Sequence, residues 1–170
     1  MKCYLCGKKA VIKKHKNRFI CNKCFCWLFE KRIRKQTRLD KSFGVGDKIL
    51  VLGGVAKYLV KSITKDMNIK IVSKNYNKKV IEWTLDDELN QFVKKMFEGK
   101  KQKKEDKKVV KILKNVTDED VKLFAKIKGL KFKPNKKDEA IQKFLNSVQV
   151  KYPNAKYNLL RNISELRKII

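Results

Sequence analysis

All five cysteines of this chain fall within its first 26 residues. Four of them form two pairs, Cys3-x2-Cys6 and Cys21-x2-Cys24, with 14 residues between. No other feature restricts the fold as strongly. Each CxxC turn aims two thiolates at one ion, and two such turns complete a tetrahedral shell with no open position, the ligand set of a structural zinc rather than a catalytic one. Gly7 suits the tight turn after the first pair. The stretch between the pairs has room for a small hairpin, with Ala10-Val11-Ile12 and Arg18-Phe19-Ile20 flanking a basic turn at 13–17. The spacing therefore predicts a zinc ribbon over 1–26, with one ion held by Cys3, Cys6, Cys21 and Cys24. Disulfides and free thiols are the alternatives; a cytosolic address disfavours the first. Cys26 lies in the apolar run Phe25-Cys26-Trp27-Leu28-Phe29 and is expected to be a small buried residue. His15, flanked by lysines, is expected in an exposed loop.

From Phe25 the pattern turns helical: Phe25, Leu28, Phe29 and Ile33 make an apolar stripe, and Lys31, Arg32, Arg34, Lys35 and Arg38 surround it. A basic connecting helix is thus expected over 27–44. Residues 1–38 hold 13 Lys and Arg against one acid, Glu30, and so carry +12 of the chain's net charge of +28. An excess of this size is the electrostatic footprint of a nucleic-acid binder. A solvated helix face is the plainer reading. Four of the six arginines lie within residues 18–38, which favours a phosphate-binding arm with contacts at Arg18, Lys31, Arg32, Arg34, Lys35 and Arg38. No apolar run approaches the roughly 20 residues of a membrane span, and the first residues lack the apolar stretch of a signal peptide. A cytoplasmic protein with no membrane partner is expected.

Residues 45–170 read as an α/β domain. Gly46-Asp47 opens a strand, Lys48-Ile49-Leu50-Val51-Leu52, followed by Gly53-Gly54 and a helix from Val55 to Thr64. Strand, glycine turn and helix is the geometry that sets backbone N–H groups on a phosphate, although tight turns use Gly-Gly widely. Further strands are expected at 69–72, 79–83 and 109–113. Helices are expected after Thr84, after Thr117 and over 138–152, and helical structure continues to the end with Leu159, Leu160, Ile163, Leu166 and Ile170 inward. The acids that open the helix after Thr84 complement its dipole. The lysine run at 100–108 reads as a solvated loop. A single His and no Ser/His/Asp set leave little for acid–base or nucleophilic catalysis.

The order of these features resembles a known family. The CxxC…CxxC ribbon, Cys24-Phe25 leading into Phe29-Glu30-Lys31-Arg32-Ile33-Arg34, and Gly46-Asp47-Lys48-Ile49-Leu50-Val51 are similar to the start of the PP-loop tRNA 2-thiolation enzymes, the TtuA-like proteins and the cytosolic wobble-uridine thiolation enzymes. Thr117-Asp118-Glu119-Asp120-Val121, Phe124 to Leu130, Phe144-Leu145 and Lys151-Tyr152-Pro153-Asn154-Ala155-Lys156-Tyr157 resemble the closing part of that family's ATPase domain. The resemblance implies a truncated PP-loop, HUP-like α/β domain with a helical C-terminal end. In the family's SGGxDS loop, backbone amides, hydroxyls and a carboxylate handle ATP and magnesium. Here the stretch reads Leu52-Gly53-Gly54-Val55-Ala56-Lys57, so both serines and the aspartate are replaced. No cysteine follows Cys26, and the second zinc ribbon of some relatives is not found. The resemblance therefore implies no catalytic and no cofactor-binding residue, Gly53 and Gly54 being what remains of the loop.

The expected function is that of a non-catalytic tRNA-binding subunit, paired as a hetero-oligomer with a catalytic PP-loop paralogue. A stand-alone zinc-ribbon nucleic-acid-binding protein is the alternative. A residual ATPase, cradling phosphate by backbone alone, is the third.

Overall fold

The computed structural model describes residues 1–14, 18–100 and 106–169. His15, most of the turn at 13–17, residues 101–105 of the lysine run and Ile170 lie outside the described residues. A short antiparallel hairpin comes first, β1 (Ile12–Lys13) against β2 (Phe19–Ile20), with Ile12 opposite Ile20. Helix α1 (Asn22–Leu39) follows. It begins three residues before the apolar stripe does, because Cys21 is its N-cap and accepts from the Cys24 amide through Sγ at 3.5 Å.

Next come β3 (Lys48–Val51), α2 (Gly54–Ile63), β4 (Lys70–Ile71), β5 (Lys78–Ile81), α3 (Leu85–Phe97), β6 (Val109–Lys111), α4 (Asp118–Lys128), α5 (Glu139–Lys151) and α6 (Ala155–Ile169). The four strands from β3 onward form one parallel sheet in the order β4-β3-β5-β6. Each expected strand is present and shorter than its apolar run. In the last, Lys114 and Val116 donate back to the carbonyls of Lys111 and Leu113, so the chain turns while Ile112, Leu113 and Val116 stay buried. Because β3 has β4 on one side and β5 on the other, the connections leave it in opposite directions. The crevice at its C-terminal end is where open α/β sheets take ligands.

Two apolar cores hold these elements. In the first, Ile49 and Val80 of the sheet and Val55, Leu59 and Val60 of α2 pack with Val121 and Phe124 of α4. Cys3, Ala10, Ile20, Phe25, Cys26, Phe29 and Ile33 belong to this same core, so the cysteine-bearing segment and α1 pack continuously with the α/β body. Phe29 stacks on Phe124 with centroids 4.2 Å apart and 14° between the rings, and Tyr58 meets Phe124 edge-on at 5.8 Å. The second core joins Leu85, Leu89 and Phe92 of α3 to Ile141, Leu145 and Ile163 of α5 and α6. Leu159 and Leu160 pack against it, whereas Leu166, expected inward, is 48% exposed.

A buried polar network ties α3 to its neighbours. Thr84 caps α3 in a reciprocal box with Asp87. The acids that follow lie in the first turn, where they complement the helix dipole, and Asp86, Asp87 and Glu88 are all buried. Asp86 pairs with Lys156 of α6 at 2.5 Å and accepts from the Asp118 amide at 2.7 Å. Lys137 bridges Asp87 at 2.6 Å and Asp118 at 2.8 Å, and Lys111 reaches Glu88 at 2.8 Å. Burial pushes the Asp86 carboxyl up, but the Lys156 ammonium and the Asp118 amide outweigh it and hold it below its ordinary value.

Lys156→Met strands Asp86 without its cation and should lower unfolding stability at pH 7 by about 3–5 kcal/mol, read from urea denaturation. The Asp86 contribution is present above the unfolded carboxylate pKa, about 4, and is lost as pH falls through the lower folded value. The variant should therefore lose less stability than the parent on acidification through that window.

Candidate functional site

The first knuckle is shaped by backbone hydrogen bonds. The Cys3 amide donates to the Lys8 carbonyl at 2.7 Å and the Gly7 amide to the Cys3 carbonyl at 2.9 Å, with Gly7 at φ 72°. That left-handed turn is the reason for glycine there. The Tyr4 amide donates to Phe19 of β2 at 3.0 Å, which fixes this turn against the second knuckle. The second knuckle is the first turn of α1, with Cys21 as cap and Cys24 inside the helix. Together these bring Cys3, Cys6, Cys21 and Cys24 into one cluster whose sulfurs all lie within 4.8 Å of one another, Cys6 and Cys21 being 3.6 Å apart.

A tetrahedral ion with metal–sulfur bonds of about 2.3 Å separates its sulfurs by about 3.8 Å, so the cluster fits a single four-thiolate ion. An iron–sulfur cubane carries its thiolates on separate irons and needs them wider apart. The four thiols ionise as a coupled set. Burial raises Cys3, yet hydrogen bonds from the Cys21, Leu5 and Cys6 backbone bring it down to about 6. Cys24 is pushed up to about 12, first by its Cys6 and Cys21 neighbours. Ionised together, four thiolates this close would need a cation among them. Cys26 is 6% exposed in the first core and takes no part in the cluster.

The glycine turn lies where the sheet order reverses. Gly53 caps α2 at φ 104°, in the region open to glycine, and the Lys57 amide donates to its carbonyl. The N-terminus of α2 already has an anion: Glu82, the first residue past β5, sends its carboxylate across, and Oε1 accepts from the Ala56 amide at 2.9 Å. The neighbouring Val55 amide also favours its ionised form. A Cβ on Gly53 would overlap the Glu82 carboxyl carbon and both its oxygens, and one on Gly54 would lie 2.9 Å from the Lys131 carbonyl oxygen. Both glycines are thus required by contacts inside the chain. Burial raises the Glu82 carboxyl above its ordinary range, against the pull of the two amides. In the sequence Glu82 is an acid among β-formers, and only the pairing of β3 beside β5 places it on this turn.

The six basic residues expected to meet nucleic acid separate into two groups. Arg18 lies over the Tyr4 ring at 5.8 Å. Arg32 donates to the Tyr157 hydroxyl at 3.0 Å with its guanidinium over that ring. Both line a cleft of about 1040 Å³ between the ribbon and α1 on one side and the start of α4 with α5 and α6 on the other. Lys31, Arg34, Lys35 and Arg38 are exposed along α1. Arg34 bonds Ser62 of α2 at 3.0 Å, and Lys31 lies over the Trp27 ring at 4.6 Å. Trp27, which the sequence places in an apolar run, is itself 54% exposed. Among the described residues no helix is long and apolar enough to cross a membrane.

No family model and no curated protein matches this sequence. Among solved structures the chain is similar to the U34-tRNA thiolase NcsA from Methanococcus maripaludis, determined with its [4Fe-4S] cluster. The TM-score is 0.75 at 18% identity, over 100% of this chain and 88% of that one. Likeness at that identity concerns the fold: the chain shares the α/β fold of that thiolase and carries a four-cysteine cluster at its N-terminal end.

Proposed function

We propose that this chain is a non-catalytic tRNA-binding subunit of a tRNA 2-thiolation complex, acting in the cytoplasm beside a catalytic PP-loop paralogue. The observation that carries the non-catalytic part is the Glu82 carboxylate on the amides of α2. In a working loop of this kind those amides face the phosphates of ATP. Here the position is filled by an acid of the chain itself, which also repels a second anion. The residues of the loop agree: Leu52, Ala56 and Lys57 supply neither the hydroxyls nor the carboxylate that would hold magnesium. Sulfur transfer needs a thiol or a cluster near the nucleotide, and no cysteine follows Cys26.

The binding part rests on charge. The ribbon and α1 form a basic arm, and the packing of Phe29 on Phe124 fixes that arm to the α/β body. Lys31, Arg34, Lys35 and Arg38 serve as phosphate contacts on its outer side, while Arg18 and Arg32 act from the cleft. Phe97 on α3 and Phe144 on α5 are exposed and would be available to the paralogue. The ion in the four-cysteine cluster is zinc in this reading, one per chain, with a structural role: it contributes folding energy and positions the arm.

Elemental analysis of the purified protein should find one zinc per chain and no stoichiometric iron; an iron–sulfur absorbance would contradict the assignment. Removing the zinc with a chelator should expose amides 1–21 to hydrogen exchange while α1, held by Phe25, Phe29 and Ile33, stays protected. Capture from the native source should recover tRNA together with a relative carrying an intact SGGxDS loop. Affinity for that tRNA should fall steeply with salt, and Arg32→Ala with Arg34→Ala should weaken it alike across tRNA sequences. Failure of the two proteins to associate, with tRNA or without, contradicts the subunit reading.

A further inference from the structure

Trp27 is an exposed indole on a helix whose other aromatic residues, Phe25 and Phe29, are buried. Its surroundings are cationic. With about 100° between successive helical residues, Lys23, Trp27, Lys31, Arg34 and Arg38 fall within an arc of roughly 80° and span about 22 Å along α1. The acids nearest to this stripe are engaged elsewhere. Glu30 pairs with Lys128 at 3.1 Å and accepts from the Tyr58 hydroxyl, and Asp40 pairs with Lys114 at 2.9 Å. Among the described residues no ion pair joins a carboxylate to Lys23, Lys31, Arg34 or Arg38. The stripe therefore offers uncompensated positive charge with one flat apolar ring set within it.

Cations alone suffice to hold a phosphate backbone, and they neither need nor favour an exposed indole. A wide aromatic face between cations matches a different object: an unpaired base flanked by its own phosphates. The Lys31 ammonium, 4.6 Å from the Trp27 centroid, polarises the ring from one side. We infer that Trp27 is a stacking platform for an unpaired RNA base, with the flanking phosphates running along Lys23, Lys31, Arg34 and Arg38. This inference rests on the RNA-binding reading above and sharpens it, since it selects a loop or single-stranded segment over a paired stem.

The test compares wild-type protein with Trp27→Phe and Trp27→Ala, using a mixed-sequence single-stranded RNA 12-mer and a 12-base-pair RNA duplex. The wild-type minus Trp27→Phe difference in fluorescence isolates Trp27 from Trp83, the other tryptophan of the chain. The single strand should quench the Trp27 signal on saturation and the duplex should leave it unchanged. Trp27→Ala should weaken single-strand binding by about 5- to 100-fold with an unaltered salt slope, and Trp27→Phe should retain most of the affinity. If the single strand binds while the Trp27 signal and the Trp27→Ala affinity stay at their starting values, the platform is wrong and the RNA-binding reading stands. If neither RNA nor tRNA binds at all, the reading beneath it fails. Quenching of Trp27 by the catalytic paralogue in the absence of RNA assigns the face to protein and overturns the inference.

Discussion

The stacking of Phe29 on Phe124 is the contact on which the rest of the arrangement depends. A four-cysteine ribbon has too little apolar surface to fix its own orientation. Here the helix that leaves the ribbon carries Phe25, Phe29 and Ile33 into the core that also holds β3, β5, α2 and α4. Cys21 caps that helix and Cys24 lies in its first turn, so half of the cysteine cluster and the basic stripe belong to one helix. A metal site at one end and an aromatic stack in the middle define where the positive charge points.

The glycine turn at the start of α2 is held by contacts from within the chain. Gly53 and Gly54 stay glycine for reasons internal to the chain: a left-handed φ, the Glu82 carboxylate and the Lys131 carbonyl. The α2 amides would otherwise be unpaired donors beside the sheet, and Glu82 satisfies them. The carboxylate makes the turn self-sufficient in hydrogen bonds.

How much of this was legible in the sequence follows from the range of the forces involved. The CxxC spacing made the grouping of Cys3, Cys6, Cys21 and Cys24 readable, and their sulfurs do cluster. Alternation and apolar runs marked every strand of the parallel sheet, but not its ends, which are set by turns such as the one after Lys111. Burial of Asp86, Asp87 and Glu88 was hidden because their partners Lys156, Lys137 and Lys111 are distant in the chain. Glu82 was hidden for the same reason. Trp27 was readable in principle: it lies off the Phe25–Phe29–Ile33 face, yet a tryptophan in an apolar run suggests core. Leu166 shows the converse, an apolar residue at helical spacing that the second core does not reach.

We propose that this chain grips RNA and leaves nucleotide chemistry to a partner. Titration calorimetry of magnesium–ATP into the zinc-loaded protein, alone and saturated with tRNA, tests it most directly. The account predicts no saturable heat from nucleotide in either state, because Glu82 holds the α2 amides. Saturable binding of one ATP per chain would mean that the carboxylate yields its place, and would contradict the account.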